Sequence, residues 1–426
     1  MKVLTVVNDL DKGGTQRGAQ NFALGYKDLG HDSRILTVNG LGSRYHEIAD
    51  KLVIYDGLIE LRSKLKNGWL PDIVHIHSHV TNPESIFMVI SYFKSEKTKI
   101  IETNVFSTPS PWADLIDVSF QLSKWAMWLF LLRGGANFKS VILGNPINFE
   151  NFKPKSSDDV NRFKLNHGLP VDSFIMGRIG EHFSSKWSPL LIDAFEFFAR
   201  KYPHLYLVVV NTSVDTLAKI DVSNYRDRIV VIDRIDGDVN LAIAYSSFDI
   251  TVHIANIGES FGYIIPESAF CGTPVISMAT PWEDNSQCEI VTALGGVVVH
   301  KYKTLLFVLE EVIQGRWKFP KSQLLQERFK RNYDYIYLAS EAVLYAKQEK
   351  SIEIEKINTF DILRLLDLCY DKPNFLVKLC LLMKIDFMRK KTIYLTGYYS
   401  IKYIHTKLLK KIKKHFQNLS NEGSLF

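Results

Sequence analysis

In the stretch GESFGYIIPESAFCGTPVIS, Glu259 and Glu267 stand eight residues apart, with Gly262 and Pro266 between them and Gly272, Thr273 and Pro274 behind. Pro266 suits the first position of a helix and Gly272 followed by Pro274 suits its end. The spacing therefore predicts a short helix over about 265–271, with Glu259 in the loop before it. A helix start offers unpaired N–H groups and the positive end of a dipole, and Gly262 lets backbone approach closely, so the corner is shaped for phosphate. Carboxylates repel phosphate. The two that flank this corner are better suited to accept hydrogen bonds from hydroxyls, one set from a ribose and one from a sugar. The plain alternative is a helix carrying two solvated acids.

Other residues of chemical interest read more simply. His75, His77 and His79 alternate in IVHIHSH and share one strand face or lie just past its end. Same-face neighbours point alike rather than converge, so no metal site is expected. The pairs Asp9/Asp11 and Asp236/Asp238 lie in loop sequence, the second in RIDGDVN just ahead of a helix, where Asp serves turns and caps. Cys271, Cys288, Cys369 and Cys380 form no CxxC pair and have no histidine at ligand spacing, which fits a reducing compartment.

Strands must end beside such a corner to hold it. The first hundred residues alternate β-rich and helical runs: KVLTVV, AQNFALGYKDLG, SRILTV, DIVHIHS, SIFMVISYF and KIIETNV. After the Asn145-Pro146 turn the rhythm starts afresh with FIMGRIG, LLIDAFEFFARKY, LYLVVV, RIVVID, DITVHI and TPVISM. This is the pattern of parallel α/β sheets, and two doubly wound domains account for the restart, with ligands expected in the cleft between them. The expected organisation is one α/β domain over 1–150, a second over 151–325, a helix over 326–350 packing back on the first, and a helical basic extension over 351–426.

Composition agrees. At 426 residues, 46% of them hydrophobic, the chain has apolar area for two cores and is not a disordered protein. The opening MKVLTVVND reads as a buried strand rather than a signal peptide, and WAMWLFLL as a buried helix. No segment reaches the roughly eighteen uninterrupted apolar residues of a spanning helix. Of the net charge of +6, residues 387–426 carry nine Lys and Arg against the single acid Glu422, which leaves the body near neutral. In IKYIHTKLLKKIKKHF, Ile401, Ile404, Leu408 and Ile412 recur at helical spacing among lysines, a basic amphipathic pattern suited to an anionic membrane surface through 387–416. No nucleic-acid recognition motif accompanies the charge, so nucleic acid is not an expected partner.

The Glu-x7-Glu spacing with its internal glycine and the following CGTPV turn resembles the signature of retaining glycosyltransferases of family four (glycosyl transferases group 1), which have the GT-B fold. GGTQRGAQNFALGYKDLGHD, NPINFENFKP, GRIGEHFSSKW, SSFDITVHIANIGESFG and TPWEDNSQCEIV follow the same family order, so the resemblance spans about residues 1–350. It implies that Arg178 and Lys186 hold the donor diphosphate, that Glu267 binds ribose hydroxyls and Glu259 the donor sugar, and that backbone at Ser260, Phe261 and Gly262 contacts sugar and phosphate. Gly13 and Gly14 would bring backbone against the diphosphate from the first domain. Many relatives place a histidine after the strand KIIETNV; this chain has Glu102, Thr103 and Asn104 there, which makes Asn104 a cleft candidate. Trp282, Asp284, Asn285 and Glu289 are cleft candidates by the same likeness. The region LVVVNTS lacks the glycine-rich turn that relatives often have.

The implied activity is transfer of a sugar from a nucleotide diphosphate sugar, UDP or GDP type, with retention of configuration and without metal or other cofactor. The expected acceptor is a saccharide, lipid-linked, in cell-surface polysaccharide or lipopolysaccharide assembly. The expected location is the cytoplasm, peripheral on the inner face of the cell membrane. Against this stand an NAD-type oxidoreductase, which would need GxGxxG where the chain has GGTQRG, and a non-catalytic membrane-associated nucleotide-sugar-binding protein of the same fold.

Overall fold

The structure, a computed structural model, describes residues 1–65, 68–77, 83–94, 97–280 and 284–352. The expectations placed on His79, Trp282 and the basic extension from residue 353 onward lie outside the described residues. In the first sheet the strands are β1 (Lys2–Val7), β2 (Asp32–Thr37), β3 (Val53–Asp56), β4 (Ile73–His77), β5 (Lys99–Asn104), β6 (Val118–Gln121) and β7 (Ser140–Ile142), ordered β3-β2-β1-β4-β5-β6-β7. In the second they are β8 (Phe174–Ile179), β9 (Leu205–Val210), β10 (Ile229–Ile232), β11 (Ile250–His253), β12 (Val275–Met278) and β13 (Val297–Val299), ordered β10-β9-β8-β11-β12-β13. The paired strands run parallel in both sheets. The doubly wound α/β architecture expected from the sequence is present twice.

The near-continuous apolar runs of these strands, such as KVLTVV and LYLVVV, follow from helices covering both faces of a parallel sheet. The first helix, Gly14–Asp28, buries Phe22 and Tyr26 against β1 and β4 and Ala23 against β1 and β2. WAMWLFLL forms the largely buried helix Lys124–Leu132, capped by Ser123, whose Oγ accepts from Ala126 N. Among the described residues no helix is long and apolar enough to cross a membrane.

Two strand orders reverse in this fold, between β1 and β4 and between β8 and β11, and each reversal opens a crevice at the carboxyl ends of its strands. The two crevices face each other. The chain crosses between the domains at residue 147 and returns at 333–335, and the crossings are bonded together: Ile147 N donates to Tyr333 O at 2.6 Å and Tyr335 N to Ile147 O at 3.2 Å. After the return, helix Tyr335–Ala346 lies on the first domain, where Leu338, Ala339 and Ala342 join Val3, Phe22 and Tyr26 in one core. Gly25 permits that contact, since a Cβ there would stand 2.5 Å from Tyr335 O.

Candidate functional site

Between the facing crevices lies a cavity of about 550 Å³. The Glu267 helix runs over Ile264–Phe270, one residue earlier than expected, and Pro266 is its third residue rather than its first. Pro is tolerated there because the N–H groups of the first turn have no partner inside a helix anyway. Gly262 takes φ +77° and Gly272 φ +92°, the left-handed conformations that the turn into the helix and its termination require.

Gly13, Gly14, Arg178, Lys186, Glu259, Ser260, Phe261, Gly262, Glu267 and Asp284 all line this one cavity. Gly13 is the extended cap residue of the first helix, and a Cβ on Gly14 would stand 3.5 Å from the Tyr263 ring of the other domain. Arg178 ends β8 with its guanidinium buried. Its Nη2 donates to Lys186 O at 2.8 Å, its Nη1 to Ile179 O, and it lies over the Trp187 ring at 5.0 Å. Burial lowers it to about 10 against the opposing pull of Glu259, so it stays cationic at neutral pH. Lys186 Nζ donates to Glu259 Oε2 at 2.8 Å, and His253 Nε2 lies 3.3 Å from Glu259 Oε1. Burial alone would raise the Glu259 carboxyl, but His253 close beside it and the Lys186 charge outweigh it and hold the group at about 2. His253 itself is brought down to about 4 by burial with Arg178 nearby, and is neutral.

Glu267 is 3% exposed, and each of its oxygens accepts a hydrogen bond. Its Oε1 accepts from Arg17 Nη1 across the domain interface, and its Oε2 accepts from Tyr245 OH at 3.2 Å. Arg17 Nη2 donates to Asp238 as well, and Lys12 pairs with Asp236. The reading of Asp236 and Asp238 as turn and cap residues is therefore incomplete: both are anionic partners for cations of the first domain. Asp9 and Asp11 serve as loop residues, Asp11 Oδ1 accepting from Ser43 N at 2.8 Å.

Two cleft candidates, Asn104 and Asn285, are not among the residues that line this cavity. Asn104 is 3% exposed and its Nδ2 donates to Thr108 O at 2.8 Å, which pins the turn after β5. Asn285 is wholly buried, its Nδ2 donating to Thr280 O at 2.8 Å and its Oδ1 accepting from Thr280 N at 2.8 Å, so it closes the loop before its helix. Glu289 accepts from Trp125 N at 3.1 Å, joining the second domain to helix Lys124–Leu132. His75 and His77 lie buried beneath the first helix, His75 within 2.8 Å of Tyr26 OH and 2.9 Å of Thr103 Oγ1.

Lys12, Arg17, Arg44 and His253 are what the sequence reading passed over. Arg17 stands inside GGTQRG, one helical turn beyond Gly14, where a long side chain on the first turn points toward the strand ends. Arg44 lines the cavity from the loop after β2, buried, with its Nε lacking a hydrogen-bond partner among the described residues. Asn211 lines it too, at φ +54°, and so supplies the left-handed turn that glycine commonly fills, while its Nδ2 donates to Gly180 O at 2.9 Å.

No protein-family model matches the sequence, and no curated protein does. Solved structures match in architecture. HepE from Anabaena, in complex with UDP and glucose, superposes with a TM-score of 0.64 at 15% identity over 82% of this chain and 100% of that one. Sucrose-phosphate synthase from Thermosynechococcus elongatus gives 0.63 at 15% identity over 82% and 99%. WaaG, a glycosyltransferase involved in lipopolysaccharide biosynthesis, gives 0.53 at 16% identity over 80% and 98%. These neighbours are GT-B glycosyltransferases, and the two facing doubly wound domains described above are the GT-B fold.

Proposed function

We propose that this GT-B chain is a metal-independent, retaining glycosyltransferase that moves a sugar from a nucleotide diphosphate sugar to a saccharide acceptor, lipid-linked, in cell-surface polysaccharide or lipopolysaccharide assembly. The observation that carries the reading is the convergence of Arg178, Lys186, Glu259, Glu267 and the Gly13-Gly14 turn on one interdomain cavity. Structural neighbours with this fold hold UDP and UDP-glucose, which supports a nucleotide sugar as donor.

In this reading Glu267 accepts from the ribose hydroxyls and Glu259 from a hydroxyl of the donor sugar. The bond from the anomeric carbon to the diphosphate oxygen breaks while the bond from the acceptor oxygen forms on the same face, and the acceptor's proton passes to the departing phosphate. Charge grows on that phosphate. Arg178, buried and bonded to two carbonyls, meets it without reorganising, and Lys186 adds a second fixed cation, so no metal is called for. Domain closure excludes water that would otherwise hydrolyse the donor. The enzyme works in the cytoplasm, held at the inner membrane face by 387–416.

The test is release of UDP or GDP from a panel of nucleotide sugars, with and without membrane lipid extract and with Glu267→Ala as control. Release that needs both lipid and Glu267 supports the proposal and identifies the donor. Nucleotide binding with no release from any donor would favour the non-catalytic binding protein of the same fold.

A further inference from the structure

We propose that Arg17 completes the nucleotide end of the cleft from the opposite domain, as a positioning residue that keeps the Glu267 carboxylate ionised and oriented for the ribose, so that donor affinity depends on domain closure. The inference rests on the donor-site reading above and names the residue that makes that site conditional.

Arg17 is 6% exposed and belongs to the first domain, yet both hydrogen-bond partners described for its side chain, Glu267 and Asp238, belong to the second. Its guanidinium is framed by the rings of Phe152 at 5.4 Å and Tyr263 at 5.8 Å, so it enters an aromatic slot and not a solvated rim. A rigid fork that meets two carboxylates at once fixes their directions as well as their charge. Tyr245 OH takes the other Glu267 oxygen, which sets the plane of the carboxylate.

The electrostatics explain why a cation must come from elsewhere. The groups facing Glu267 from the surrounding elements are Arg17 from the first helix, Asp238 and Tyr245 from helix Asp238–Ser247, Tyr263 from the preceding turn, Arg44 from the loop after β2 and Cys271 at the end of its own helix. Within the second domain these are an anion, neutral phenols and a thiol. A carboxyl so enclosed favours its neutral form, which donates one of the hydrogen bonds a ribose diol needs it to accept. Burial does push Glu267 up, to about 7, with Arg17 and Arg44 opposing and Asp238 reinforcing. When the domains separate, both opposing cations leave with the first domain, and Glu267 becomes a poorer acceptor.

The experiment is calorimetric titration of UDP and GDP into the full chain as wild type, Arg17→Ala, Arg17→Lys and Asp238→Asn, from pH 6 to pH 9, with thermal unfolding measured alongside. Arg17→Ala is expected to weaken nucleotide binding at least about tenfold at pH 7 and to recover toward the wild type as the pH rises. Arg17→Lys, which keeps the charge, restores the wild-type pH midpoint, and Asp238→Asn moves that midpoint to lower pH. Should Arg17→Ala fail to fold, the other two variants decide: an unchanged midpoint for Arg17→Lys with a lowered one for Asp238→Asn supports the inference, and a midpoint that Asp238→Asn leaves in place overturns it. A folded Arg17→Ala that binds as the wild type does at every pH, or more tightly, overturns this inference alone. A wild type that binds neither nucleotide overturns the donor-site reading and this inference with it.

Discussion

Lys186 Nζ stands 2.8 Å from Glu259 Oε2, so the cation proposed for the donor phosphate and the carboxylate proposed for the donor sugar are one hydrogen-bonded pair. Removing either partner strips the other, itself half-buried, of its hydrogen-bonded counter-charge. Lys186→Ala is expected to lower kcat by on the order of a hundredfold, the size seen when a preorganised donor is lost from a growing negative charge. Glu259→Gln, which keeps the shape and loses the charge, should raise the donor KM as well. Initial rates over donor concentration separate the two effects.

The same pair fixes a branch of the acid stability. Glu259 sits at about 2 in the folded chain against an ordinary 4.5. An acid lowered on folding contributes stability that is whole above the unfolded value and is lost as the pH falls through the folded one. The contribution is about 3 kcal/mol at most, and it disappears between pH 4.5 and 2. Urea midpoints measured across that window should fall steeply for the wild type and less steeply for Glu259→Gln.

Donor affinity should carry a second, separate pH dependence through Glu267. Its carboxyl lies at about 7, and only the ionised form accepts from both ribose hydroxyls. The donor KM is therefore expected to rise as the pH falls below 7 and to level off above it, by up to about tenfold per pH unit. Glu267→Gln should flatten the profile at a high KM.

A structural prediction concerns the seat of the last described helix. Gly25→Ala places a Cβ about 2.5 Å from Tyr335 O and 2.8 Å from Ala339 Cβ, so the helix must move off the first domain. Overpacking of this kind costs about 1–3 kcal/mol. Equilibrium urea unfolding should show the loss, with nucleotide binding preserved in the folded fraction.

The apolar runs made most of both sheets legible from the sequence, while β3 (VIYD), β6 (VSFQ) and β7 (SVI) escaped because polar residues break their short runs, and β13 is only the three valines of GGVVVH. At the site, glycine and proline punctuation marked the corner that carries Glu259 and Glu267, while Arg178 and Lys186 were legible only through the family resemblance of GRIGEHFSSKW. Arg17 did not announce itself, because its partners are 221 and 250 residues away and nothing local requires a cation. Asn285 and Asn104 were harder to place for the converse reason: a polar residue after a strand serves a cleft or a turn equally well, and the structure puts both outside the lining of this cavity.

The return of the chain at 333–335 has a consequence for synthesis. The first sheet is complete by Ile142, yet the apolar face around Phe22 and Tyr26 is covered by residues 335–346, which leave the ribosome nearly two hundred residues later. The usual order, in which an amino-terminal domain finishes folding while the rest is being made, is closed to this chain. Its first domain must wait, with that face exposed, for the second domain to be translated. Early termination before residue 335 would yield an aggregating fragment instead of a smaller working module.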